Sequence, residues 1–126
     1  MRELEFDRAE PTVPSFFLIQ LEGEFDLAER ERLVDAFAIG QSAPVTIIDL
    51  HKTTFIDSTV LRCLIALNEA TQKRDAKLIV VGLQGAVLRL FQITGLVQVF
   101  DIRDTLNDVA GLDGVPARRL TIESRQ

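Results

Sequence analysis

Runs of strand composition alternate with segments of helical period along most of this chain, and that alternation restricts the fold more than any other feature. "SFFLIQLEGEFD" places Phe17, Ile19 and Leu21 on one face by period-two alternation, and Gly23 breaks the pattern. "DLAERERLVDAFAIG" follows at once. Asp26 with Glu29 three residues on has the form of a capping box, Leu27, Leu33, Val34 and Phe37 fall near one helical face, and Gly40 supplies a stop. Pro44 opens the short strand "VTIIDL". A helix is predicted from Ser58 to Lys73, with Val60, Leu61, Leu64, Ile65 and Leu67 apolar and Arg62, Glu69, Gln72 and Lys73 polar. "AKLIVVGL" is apolar on both alternations, the pattern of a central strand covered on both faces, or on one face in a crowded core. "GAVLRLFQITG" predicts a third helix with Val87, Leu88 and Phe91 inward. "VQVFDI" reads as a last short strand and "DTLNDVAGL" as a last helix.

Strands separated by helices pair in parallel through right-handed crossovers. The expectation is a single α/β domain with a four- or five-stranded mixed sheet and about four helices. A length of 126 residues suits one domain, and 47% apolar with 26% charged residues is a globular proportion. Residues 1–111 read as the domain and 112–126 as a flexible, linker-like tail with room for one added strand at Leu120, Thr121 and Ile122.

Composition also removes function classes. A net charge of -5, with Lys and Arg scattered, leaves no basic field for nucleic acid. A single cysteine, Cys63, can form neither an internal disulfide nor a cysteine-based metal site, which fits a reducing compartment. It reads as a small buried hydrophobe. "MRELEFDRAE" has no apolar signal core, and no run approaches the roughly 18 apolar residues of a membrane span. The expected location is cytoplasmic, without membrane insertion. No G-x-G-x-x-G or P-loop string appears, so no nucleotide cofactor is expected. His51, the one histidine, reads as a solvated loop residue. A triad of Ser58 with His51 and Asp49 or Asp57 is disfavoured, because "IDSTV" lacks the glycines of a G-x-S-x-G elbow. No catalytic residue, metal ligand or cofactor is expected, and the chain does not read as an enzyme.

One joint stands out, where the β-branched run before it meets the helix at Asp57-Ser58-Thr59. Either Asp57 or Ser58 can cap the helix start. The same geometry suits display of the Ser58 hydroxyl, since a phosphate there would meet free N–H groups and the helix dipole, while Asp57 adds like charge. Phe55, in the turn "KTTFIDST", either plugs the sheet end or contributes to a binding surface.

Three segments in order, "LEGEFDLAERERLVDAF", "VTIIDLHKTTFIDSTVLRCLIAL" and "AKLIVVGLQGAVLRLFQITGLVQVFDI", resemble the STAS domain of bacterial anti-sigma factor antagonists over about residues 12 to 110. The most specific parts are Gly23, Phe25 and Asp26 at the end of the first strand, the "FIDST" segment, and "GLVQVF". The resemblance implies a binding module. Ser58 aligns with the family's phosphorylated serine, with Thr59 or Thr54 as lesser candidates. The implied partners are an anti-sigma factor with serine kinase activity, bound when Ser58 is unmodified so that a sigma factor is released, and a PP2C-type phosphatase that restores binding. The implied partner-binding residues are Gly23, Asp26, Phe55, Asp57, Ser58, Thr59 and Val60. Family members usually carry glycine where this chain has Val60, a β-branched residue that fills space near an approaching backbone. The alternative is a STAS scaffold or assembly subunit indifferent to Ser58, and a homodimer is compatible with either.

Overall fold

The computed structural model describes residues 15–109 and 117–125. Strand β1 (Phe16–Phe25) runs into a single 3-10 turn and helix α1 (Arg30–Gly40), and β2 (Val45–Asp49) returns beside β1. After a turn come β3 (Thr53–Ile56), α2 (Ser58–Lys73), β4 (Lys77–Val81), α3 (Gly85–Ile93), β5 (Asp101–Arg103) and β6 (Ala117–Glu123). The sheet order is β3-β1-β2-β4-β5, and β6 adds to β1 from Phe16 to Glu22.

The α/β class is as expected, and the details differ. Six strands form instead of four or five, and every pairing among the described residues is parallel rather than mixed. The tail supplies the added strand for which it had room, β6, and the strand beyond the expected count is β3, which had read as a turn. β3 is held by the end of β1: a register shift between Gly23 and Glu24 turns that end toward it, and the buried Thr53 hydroxyl donates to Leu21 O at 2.7 Å. Three α-helices form among the described residues. The expected last helix is one 3-10 turn, Leu106–Asp108, where a Thr105–Asp108 capping box starts a turn that Val109 ends in extended conformation. Its residues from 110 to 112 lie outside the described residues.

From β1 to β2, β4 and β5 the chain moves one way across the sheet, so right-handed crossovers put all three helices on one face. Phe17, Ile19, Leu21, Ile48, Leu78 and Val80 face those helices and meet Leu33, Phe37, Leu64 and Phe91. On the other face Phe16, Leu18, Ile47, Ile79 and Val81 are covered by Val109 and Leu106, in the connection that returns toward β6. β1 is therefore buried on both faces, although its alternation reads as one-sided; its second face only becomes core when that return connection crosses it. α1 keeps Leu33 and Phe37 inward as expected, and the rest of the expected face departs. Leu27 and Val34 are exposed, and Glu29 is buried in their stead.

Glu29 is tied down by long-range partners. It accepts from Arg32 at 2.7 Å and from the Arg125 backbone N–H at 2.9 Å, with the Arg125 guanidinium 3.5 Å away. The Arg125 N–H above all, then Arg32, holds its carboxyl below the usual range against the opposing effect of burial. Glu29 thus fastens the end of the chain to the start of α1, and does not complete the capping box. Gly40 is the last residue of α1 and packs closely on the sheet: a Cβ there would stand 3.1 Å from Ile19 Cδ1.

Candidate functional site

The C-terminal ends of parallel strands share one edge of the sheet, the edge at which α1 and α2 begin and where such sheets offer ligand or partner sites. Asp57 organises it. Its backbone is extended, its Oδ1 accepts the Val60 N–H at 3.0 Å, and its Oδ2 accepts the Leu27 N–H at 3.1 Å. One carboxylate caps α2 and also holds the turn that leads to α1. Asp26 accepts the Ala28 N–H at 2.9 Å in the same neighbourhood.

Ser58 is the first residue of α2, exposed, and its hydroxyl makes no hydrogen bond to any described residue. Of the two candidates for the cap, Asp57 takes the role and Ser58 does not. First-turn N–H groups of α2 remain at this edge without intrahelical acceptors. Thr59 is half-buried on the α1 side. Phe55, on the strand leading into Asp57, is 46% exposed, so it is surface and no plug. Thr54 beside it is exposed.

Two other expected residues sit apart. Val60 is fully buried against the core, so only its backbone reaches the site. Gly23 lies at the β1 bulge with φ +114°, where a Cβ would come 2.7 Å from Ser124 Cβ; its freedom serves the close passage of the chain's end. Leu27, 65% exposed and bonded through its backbone to Asp57, belongs to the site and was missed. The helical spacing had assigned it inward, and nothing local reveals that the first turn is 3-10.

His51 turns to Asp49, not to Ser58. Its Nδ1 lies 2.8 Å from Asp49 Oδ1, its own N–H donates to the same oxygen at 3.0 Å, and the Gln84 side-chain amide donates to its carbonyl. Gln20 donates to Asp49 Oδ2 at 3.2 Å. No hydrogen bond joins His51 to Ser58 among the described residues, so no triad is assembled. Burial pushes the Cys63 thiol up, with nearby Arg30 acting the other way, which leaves no activated thiolate. Among the described residues no cluster of three His, Cys, Asp or Glu side chains could hold a metal. No helix among them is long and apolar enough to cross a membrane.

Comparisons with known proteins follow the same lines. The STAS domain family model matches residues 9–109. The anti-sigma-B factor antagonist of Listeria monocytogenes is 29% identical over 91 residues, 71% of this chain and 80% of the relative. An anti-sigma factor antagonist structure from Mycobacterium paratuberculosis is 31% identical, with a TM-score of 0.63 over 69% of this chain and 75% of that one. The Bacillus cell fate determinant SpoIIAA in its phosphorylated form shares the fold, with 16% identity and a TM-score of 0.58 over 74% of this chain and 87% of that one. With the sheet, the helix start and the family match in agreement, the chain belongs to the STAS domain family.

Proposed function

We propose that this chain is an anti-sigma factor antagonist switched at Ser58. The reading rests on one observation: Asp57 does the capping, and the adjacent Ser58 hydroxyl is exposed and has no hydrogen-bond partner among the described residues. A hydroxyl with no structural bond to lose is open to a kinase. Unmodified, the edge offers a partner Ser58 together with two exposed apolar side chains, Leu27 and Phe55. That partner is an anti-sigma factor with serine kinase activity, and its capture releases a sigma factor. A phosphate on Ser58 brings about two negative charges beside Asp57, which opposes docking by repulsion and desolvation. A PP2C-type phosphatase reverses it. The family membership and the antagonist names of the relatives support this reading, as does a phosphorylated form of a protein with the same fold. On this reading the protein is a cytoplasmic binding module, with no reaction of its own.

Wild type, Ser58→Ala and Ser58→Glu, used as baits in lysate of the native cell, test it. Wild type and Ser58→Ala are expected to recover a protein with a histidine-kinase-like ATPase domain, and Ser58→Glu to recover it at least about tenfold less well. Mass spectrometry is expected to find phosphate on Ser58. Equal recovery by all three baits, with Ser58 never modified, makes the scaffold reading the better one.

A further inference from the structure

A groove of about 630 Å³ runs between α1 and α2, on the outside of the helical layer. That volume is in the range of small-molecule sites, roughly 300–1,000 Å³. Both helices begin at the same edge of the sheet, so the groove has two unlike ends. At the starting end stand Arg30, from the first turn of α1, and Arg62, from the second turn of α2. Farther along, the walls are mostly apolar, with Val34 and Phe37 on one side and Ala66 and Ala70 on the other, and Gln41, just past α1, as the one polar side chain beyond the arginines among the described residues.

The charge at the starting end is unsatisfied. The chain carries a net charge of -5, yet neither arginine has an ion-pair partner or hydrogen bond among the described residues. Arg32, Arg103 and Arg125, by contrast, each pair with a carboxylate. Two guanidinium groups with no carboxylate partner among the described residues, at one end of a mostly apolar slot, complement an anion attached to an alkyl chain.

We propose that this groove binds a fatty acid anion, its carboxylate between Arg30 and Arg62 and its chain along Val34, Ala66 and Ala70. The alkyl chain gains by leaving water for the apolar walls. The two arginines orient it and select for negative charge. The site does not depend on modification of Ser58, and its test stands apart from that of the switch.

The probe is dodecanoate, kept below its micelle concentration and titrated into the full-length protein by calorimetry. Saturable binding of one dodecanoate per chain is expected, with the uncharged dodecanol weaker and dodecyltrimethylammonium not bound. Arg30→Gln and Arg62→Gln, both surface changes, are each expected to weaken dodecanoate by about tenfold. Ala66→Phe, which fills the apolar half from an exposed helix position, is expected to abolish binding with the circular dichroism spectrum unchanged. Absence of saturable binding overturns the proposal. So does binding that is indifferent to both arginines, binding of the cationic probe as tightly as the anion, or a stable dimer by sedimentation that closes the groove and that dodecanoate does not dissociate.

Discussion

Asp57 and Ser58 are adjacent and exposed to the same edge of the sheet, yet mutation should separate them cleanly. Asp57→Ala removes the acceptor of both Val60 N–H and Leu27 N–H, and is expected to cost about 1–2 kcal/mol in denaturant unfolding. Ser58→Ala removes no hydrogen bond to a described residue and places a better helix former at the first helical position, so stability should stay within about 0.5 kcal/mol of wild type. A large loss for Ser58→Ala would mean that the hydroxyl is structural. Gly82 supplies a second residue-scale test. Its φ is +82° and a Cβ would lie 2.7 Å from His51 N, so Gly82→Ala should destabilise by about 1–3 kcal/mol and disturb the His51–Asp49 contact, read by the histidine ring resonances. Val60 had stood out as a departure from the family's glycine at a partner surface. In the fold it fills core, and Val60→Gly should cost roughly 2–4 kcal/mol through the cavity and the helix propensity together.

At the level of elements, the attachment of β6 involves a titrating group. Glu29, at the start of α1, accepts from Arg125 just past the end of β6. Its carboxyl is held below its ordinary 4.5 in the folded chain, so its contribution is fully present above that value. The contribution is lost as pH falls through the lower, folded value. The protection factors of the β6 amides, taken relative to the slower intrinsic exchange in acid, are therefore expected to fall on acidification ahead of those of β2 and β4, and Glu29→Gln should lower them at neutral pH. Equal protection of β6 in the variant and wild type at neutral pH would remove Glu29 from that role.

For the whole molecule, the tail and the central strand are one problem. β6 covers one side of β1 from Phe16 to Glu22, buries Ile122, and sets the Arg118 guanidinium 5.5 Å from the centre of the Phe17 ring. A chain ended at residue 111 would leave that long, apolar strand as an open edge. It should lose roughly 3 kcal/mol or more and scatter light on warming. An unfolding midpoint equal to wild type would mean that residues 1–111 suffice, as the reading of 112–126 as a flexible tail expected.

Local features of the sequence determined much of this protein. The α2 boundaries, Ser58 to Lys73, were legible because a helix start, an apolar stripe and a charged end lie within a few residues of the groups they satisfy. β4 was legible as a central strand from its apolar run, although not whether one face or both are covered, and the order of motifs was enough to suggest the family. Tertiary structure alone decided which of two adjacent side chains caps α2, since the second half of Asp57's role is a bond to a residue 30 positions away. It alone made β1 a doubly covered strand, joined Glu29 to Arg125 across 96 positions, and set Arg30 and Arg62 in one groove from separate helices. Period and capping act over one or two turns of chain. Burial, strand partners and shared sites depend on which distant segments arrive alongside, and no local pattern carries that information.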